Sequence, residues 1–435
     1  MRFSRTVSHL LLGCALGVPL ASHAVDETLG SLPLDELRNF ADVYHQIRMG
    51  YVEEVDDSTL LEYAIQGMLM NLDPHSAYLG EDAFRSLQDT TAGQFTGLGI
   101  EVGMEDGYVK VISPIDGSPA EEAGLQSGDV ILKLGKQQVK GMTLSEAIDI
   151  MRGPKGSTID LTIGRPGESQ PFEVTLERDT IQVASVRERF LEPGYGYIRI
   201  AQFQNRTGQD VRKSLEKLQQ QQALKGLVLD LRNNPGGVLS ASVDVAGMFL
   251  DGGNVVYTKG RLDNSDIRYN ADKIDISEGT PIIVLINSGS ASASEIVAGA
   301  LQDHGRAVVM GTASFGKGSV QTILPLSEDR AVKLTTALYF TPSGRSIQAE
   351  GITPDIVVER ARVTAYDTPP RIKEADLSRR LDNANGSDNN SAENKNERDV
   401  SNKLFASDNQ LYEALTLLKG LNVLGMRDKQ QDGEF

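Results

Sequence analysis

The chain has 435 residues, with 43 Lys and Arg against 60 Asp and Glu, a formal net charge of −17 and a single cysteine, Cys14. That length calls for several domains, and so acidic a balance argues against nucleic acid or anionic lipid as an electrostatic partner. One cysteine excludes a disulfide framework, so stability has to come from core packing.

The first 24 residues place Arg2 and Arg5 before an apolar centre and end in Ser22-His23-Ala24, the pattern of a secretory signal with a small-residue cleavage site. A periplasmic address is the expectation. "LLGC" (11–14) offers lipid attachment at Cys14 as the rival, against a short preceding stretch that contains Ser8 and His9. Removing the signal takes away two arginines and no acid, which moves the charge to −19. Residues 25–90 then read as a helical region. Leu37, Phe40, Ala41 and Tyr44 mark one stripe, and Leu61, Ala64, Ile65, Met68 and Leu72 mark a second, with caps expected around Asp35 and Ser58. These stripes either pack on the core or join subunits.

Residues 91–180 change character. Short β-like runs, "YVKVI" (108–112), "DVILKL" (129–134) and "IDLTI" (159–163), alternate with Gly and Pro turns, and one helical segment, "TLSEAIDIMR" (143–152), comes late. With "GLGI" (97–100) ahead of an alternating strand and "SPAEEAGLQSGDVILKLG" behind it, the stretch resembles a PDZ domain. The resemblance implies that Gly97, Leu98, Gly99 and Ile100 present backbone N–H groups to a terminal carboxylate while the bound peptide adds as a strand.

From 181 to 360 strands and helices alternate: "GYIRI" (196–200), a Gln-rich helix to about Gln222, "GLVLDLR" (226–232), a helix after Gly237, and "PIIVLIN" (281–287). That alternation predicts an α/β core on a buried sheet, hence a multidomain α/β chain. Residues 361–405 include "LDNANGSDNNSAENKNERD" (381–399), almost without apolar side chains and read as a flexible linker. A helical stripe of Leu411, Leu415 and Leu418 returns within 406–435, able to dock on another element or another subunit.

"GSASASEIVAGAL" (289–301) raises the question of which serine carries chemistry, since a strand, a turn and a helix N-terminus can present a nucleophile. Beyond the signal the histidines are His45, His75 and His304, and His304 lies twelve positions past Ser292, on the order of 18 Å along a helix. Lysine can take the place of histidine where burial lowers its pKa from about 10.4. Lys317, between Gly316 and Gly318, is the candidate, and strand alternation after it would put Lys317, Ser319 and Gln321 on one face, with the Gln321 oxygen free to hold the amine. Ser292 alone fits the capping box S-x-x-E, with Glu295, which places it at a helix start where N–H groups favour an oxyanion. A plain helix cap fits the same residues. "GTASFGKG" (311–318) matches a phosphate loop up to the lysine, but Gly318 stands where Ser or Thr must hold magnesium.

These segments together resemble the carboxy-terminal processing, or tail-specific, proteases. The resemblance rests on "INSGSASASEIVAGALQDHGRAVVMGTASFGKGSVQT", "LVLDLRNNPGG" (227–237), "DPHSAYL" (73–79) and "GITPDIVV" (351–358), beside the inserted PDZ module. It implies a protease core of the crotonase/ClpP-like kind with helical extensions at both ends. Ser292 would be the nucleophile, Lys317 the general base and Gln321 its orienting partner, with an oxyanion hole of backbone N–H groups from Ala293 and the Gly236-Gly237 turn. Protein or peptide substrates, an envelope adaptor or activator, and a homo-oligomer built through the terminal helices are the expected partners. No cofactor or metal is called for. The alternatives are a catalytically silent PDZ scaffold and, less favoured for want of an H-E-x-x-H or similar ligand cluster, a metal hydrolase.

Overall fold

The computed structural model describes residues 32–115, 117–262, 265–361, 377, 381 and 407–431. The expected signal with Cys14 and most of the expected linker lie outside the described residues. Two compact units meet in sequence between Met68 and Leu69.

The first unit holds α1 (Leu34–Gly50) and most of α2 (Asp57–Met70). Both caps differ from expectation. Pro33 precedes α1 without a side-chain cap, and Asp35 sits in the first turn. Asp56 caps α2: its carboxylate accepts from the Thr59 N–H at 3.0 Å and from the Ser58 and Thr59 hydroxyls at 2.6 Å. Those bonds, from Ser58 first, hold the Asp56 carboxyl well below the usual range. A serine beside an aspartate loses the cap because a carboxylate accepts several N–H and O–H bonds at once. No α1 residue is buried, and Phe40, Tyr44, Ile47, Leu60 and Tyr63 line an open apolar groove.

The second unit begins with β1 (Ala77–Leu79), a strand inside the stretch read as helical, followed by α3 (Glu81–Ala92) and β2 (Gln94–Gly97). Next come β3 (Ile100–Glu105), β4 (Tyr108–Pro114), α4 (Pro119–Glu122), β5 (Val130–Leu134), β6 (Gln137–Gln138), α5 (Leu144–Met151), β7 (Thr158–Gly164), β8 (Phe172–Glu177) and β9 (Asp179–Gln182). β3-β4-β5-β7-β8 form one antiparallel sheet, with β6 beside β5. Val109, Val111, Ile131, Leu161 and Ile163, at alternate positions, are fully buried under it. β2 and β9 pair antiparallel where the chain enters and leaves this module.

The remainder comprises β10 (Val186–Glu192), β11 (Tyr195–Ile200), α6 (Thr207–Gln221), β12 (Gly226–Asp230), α7 (Leu239–Gly247), β13 (Asn254–Gly260), β14 (Arg268–Asn270) and β15 (Ile282–Ile286). It continues through α8 (Ala293–Asp303), β16 (Ala307–Gly311), β17 (Ser319–Pro325), β18 (Ala331–Phe340), β19 (Ile356–Val357) and α9 (Asn409–Gln431). β10-β11-β12-β15-β16-β19 make a sheet that is parallel except for the β10–β11 pair. β12 and β15 are buried along their whole length because both faces are covered. Leu227, Leu229, Val284 and Ile286 face α6, α7 and α8, while Val228, Ile283 and Leu285 face α9. A second, antiparallel sheet runs β1-β18-β13-β14, with β17 also on β18.

The tail stripe is therefore not a free surface. Leu411, Leu415 and Leu418 are almost wholly buried against the central sheet of their own chain. Arg232 anchors the start of α9, donating to Asp230 and to Asp408 at 2.7 Å each, while Asp408 caps the helix through the Leu411 N–H.

Candidate active site

The carboxyl ends of β12 and β15 lie side by side, and the loops leaving them meet above the sheet, the usual crevice of an open α/β core. The turns are locked together: Asn233 and Asn287 exchange two hydrogen bonds of 2.8 Å, and the Ala291 N–H donates to the Asn234 carbonyl at 2.9 Å.

This packing separates the three serines. Ser290 is fully buried and its hydroxyl donates to the Leu231 carbonyl at 2.8 Å. Ser294 is equally buried and bonded to the Asn234 carbonyl at 3.0 Å. Both hold the turn to the neighbouring strand end. Ser292 is half-buried and stands immediately before α8, with φ 56° and ψ −112°. A non-glycine residue held there costs about 1–3 kcal/mol, a strain found most often at functional positions. The capping box at this helix start is closed by Glu295. Its Oε2 accepts from the Ser292 N–H at 2.7 Å, whereas the Glu295 N–H goes to the Ser292 carbonyl at 2.9 Å.

Glu295 does more than the cap assigned to it from sequence. Its side chain is wholly buried and accepts from Ser314 Oγ (2.6 Å), Gly316 N–H (2.6 Å) and Lys317 N–H (2.9 Å) as well as from Ser292. One carboxylate thus fixes both the serine turn and the lysine loop. Tyr339, also buried, donates its hydroxyl to the Lys317 carbonyl and lies beside the Ser292 side chain. Burial, then the nearby Glu295 charge, push the Tyr339 pKa well above 10, so it remains a neutral donor.

Lys317 lies in the loop ahead of β17 and is half-buried. Burial lowers its pKa from 10.5, Lys333 adds to that, and Glu295 and Asp73 oppose it. Gln321 follows on β17, where the register with β18 shifts between Val320 and Gln321 and interrupts simple alternation. Its amide still turns toward Ser319, donating to Ser319 Oγ at 3.0 Å and to Thr335 Oγ1 at 3.3 Å. Among the described residues no hydrogen bond joins Lys317 Nζ to Ser292 or to Gln321, and such bonds commonly tighten only when substrate is present. His304 is remote, at the far end of α8, with Nε2 2.7 Å from the Asn254 carbonyl.

The expected oxyanion donors divide. Gly236 is corrected: its N–H already donates to Asn234 Oδ1 at 2.9 Å. Its importance is the missing side chain, since a Cβ there would sit 2.8 Å from Ser292 Cβ and 3.0 Å from the Ala293 nitrogen, at φ 99°. The N–H groups of Ala293 and Gly237 have no acceptor among the described residues.

In the β-module, Gly97 belongs to the β2–β9 ladder, and the Leu98 and Gly99 carbonyls accept from Ala120 and Ile115 N–H at 3.1 and 2.8 Å. Ser118 Oγ also donates to the Gly99 carbonyl, at 3.0 Å. The Leu98 and Gly99 N–H groups have no acceptor among the described residues. Ile100 opens β3, an edge strand of the sheet. A loop with two unpaired donors leading into an open edge suits a strand-adding peptide that ends in a carboxylate.

Three family models match segments of the chain. Peptidase family S41 matches residues 194–358, a PDZ domain matches 110–165, and an activating protease CtpB N-terminal domain matches 19–83. A carboxy-terminal-processing protease of Bartonella bacilliformis is 51% identical over 334 residues, covering 76% of this chain and 77% of its own length. Carboxy-terminal processing protease CtpB of Bacillus subtilis is 37% identical, covering 73% of this chain and 66% of its own. Among solved structures, a photosystem II D1 C-terminal processing protease is 34% identical with a TM-score of 0.45, over 75% of this chain and 87% of that one. The protein is a serine-type peptidase of multidomain α/β fold that carries a PDZ domain. It belongs to the carboxy-terminal processing protease family, and the silent-scaffold alternative falls.

Proposed function

We propose that the protein is an exported, periplasmic endopeptidase in which Ser292 is the nucleophile, Lys317 its general base and Gln321 the partner that orients the base. The observation that carries this reading is the sorting of the serines: Ser290 and Ser294 are buried and hydrogen-bonded to carbonyls, and Ser292 alone is accessible, strained and at a helix start. Ser292 Oγ attacks the scissile carbonyl carbon as its proton passes to the neutral Lys317 amine, and the Ala293 and Gly237 N–H groups face the oxyanion. The C–N bond then breaks as Lys317 returns the proton to the leaving amine. Water, activated by the same lysine, hydrolyses the acyl-enzyme.

The PDZ domain, residues 91–180, captures the C-terminal segment of a protein substrate through the Gly97-Leu98-Gly99-Ile100 loop. Amidating the C-terminus of a long substrate should raise its KM by roughly 10- to 100-fold, because charge-assisted hydrogen bonds worth about 1.5–3 kcal/mol are lost. A peptide too short to reach the groove should be cleaved equally well in both forms. Long substrates indifferent to amidation would leave the domain as a lid or spacer.

The apolar groove of α1 and α2 is the proposed homo-oligomer contact, and an activating envelope protein is the further partner proposed for the same end of the chain. Phe40→Asp should then dissociate an oligomer in light scattering, since a charge in an apolar contact has no partner there. A fully active monomer of the unmodified protein would remove the proposal.

A further inference from the structure

We propose that Asp73 is a positioning residue for the base: through Thr335 it fixes which way the Gln321 carboxamide points, and its carboxylate stands in the field of Lys317. This rests on the reading of Lys317 as base and Gln321 as its partner.

Asp73 opens the turn before β1 and is held from several sides. Its Oδ1 accepts from the His75 and Ser76 N–H groups at 2.8 and 2.9 Å, and its Oδ2 from the Ser76 hydroxyl at 2.6 Å. Burial works against ionisation, yet the hydrogen bonds from Ser76, His75 and Thr335 hold its pKa at about 2. Ser76 Oγ in turn accepts from the Thr335 N–H at 3.1 Å, and β1 pairs with β18 from Ala77 opposite Lys333, so the turn is fastened to the strand beside Gln321.

The direction of the chain of bonds follows from what each group can do. An ionised carboxylate only accepts, so the Thr335 hydroxyl, 3.1 Å away, must donate to Asp73. Its lone pairs are then what Gln321 meets, and Gln321 must present its Nε2, as it does at 3.3 Å. With the second Nε2 proton directed to Ser319 Oγ, the free acceptor of the amide is Oε1. A carboxamide is otherwise ambiguous between its two orientations. Asp73 removes the ambiguity and leaves an oxygen, not an amine, for the Lys317 amine.

The charges facing Lys317 are Lys333 on β18, Glu295 on α8 and Asp73, with the His75 imidazole within its field and the Tyr339 hydroxyl on its carbonyl. Lys333 lowers the Lys317 pKa, and Glu295 and Asp73 raise it. A lysine base works only when neutral, so activity falls on the acid side of its pKa. Neutralising Asp73 removes a raising influence and moves that acid limb to lower pH.

The test uses the full chain, a short peptide substrate that does not reach the PDZ groove, and four variants: Asp73→Asn, Thr335→Val, Thr335→Ser and Ser292→Ala. Asp73→Asn should lower kcat about tenfold or more with KM little changed, and shift the acid limb of the kcat profile downward. Thr335→Val, which keeps the carboxylate but cuts its link to Gln321, should lower kcat without moving the limb. Thr335→Ser should retain most of the activity. Full activity in Ser292→Ala would overturn the parent reading. With Ser292→Ala inert, the inference falls if Asp73→Asn leaves kcat and the limb unchanged. It falls equally if the Asn and Val variants lose activity only in step with their melting temperatures, with no limb shift and no rescue by serine.

Discussion

Ser292→Ala and Lys317→Ala are each expected to lower peptide cleavage by on the order of 10⁴-fold or more, and the double variant should be hardly worse than either. The two groups act on one proton, so losing either stops the same step. Ser292→Ala also removes little that holds the fold, because the hydrogen bonds of that turn come from its backbone, Ser290 and Ser294. Lys317→Ala leaves the loop bonded to Glu295 through its N–H and to Tyr339 through its carbonyl. Unchanged circular dichroism and melting temperature should therefore accompany the loss. Multiplicative losses in the double variant would mean that the residues serve separate steps.

Glu295→Ala is expected to fail differently, in stability and activity together. The carboxylate is wholly buried and accepts four hydrogen bonds, three of them from backbone N–H groups. Leaving such donors unpaired costs about 1–3 kcal/mol apiece before relaxation, so a net destabilisation of roughly 2–4 kcal/mol is expected in denaturant unfolding. The lysine loop would then lose its fastening to the serine turn. A displacement of about 1 Å between reacting groups can reduce the rate on the order of 10²-fold, which sets the expected loss in kcat. Glu295→Gln should fall between, since an amide offers one accepting oxygen where two are used. Wild-type kcat in a folded Glu295→Ala protein would show that the two loops are held by other means.

The sequence made the central sheet and the serine turn readable because both are local. "GLVL" (226–229) and "IIVLI" (282–286) are unbroken apolar runs, as strands covered on both faces must be, and S-x-x-E marks a helix start within four residues. What stayed hidden depends on partners far along the chain. Leu411, Leu415 and Leu418 form the same stripe whether they meet their own sheet or another subunit, and only the fold decides for the sheet. The family resemblance put the Gly236-Gly237 turn at the oxyanion hole, but Asn234, two residues before Gly236, takes the Gly236 N–H. Asp73 and Thr335 are separated by 262 positions, and β1 that brings them together is too short to stand out between two helices. Tyr339 could have been suspected from its place in a strand following the lysine, yet nothing local distinguishes it from an ordinary core aromatic.

The most direct measurement is mass spectrometry of the protein after reaction with an active-site-directed acylating peptide probe. The account predicts one modified residue, Ser292, with labelling abolished by Ser292→Ala and slowed by Lys317→Ala. Acylation of Ser290 or Ser294, or equal labelling rates with and without the Lys317 amine, would contradict it.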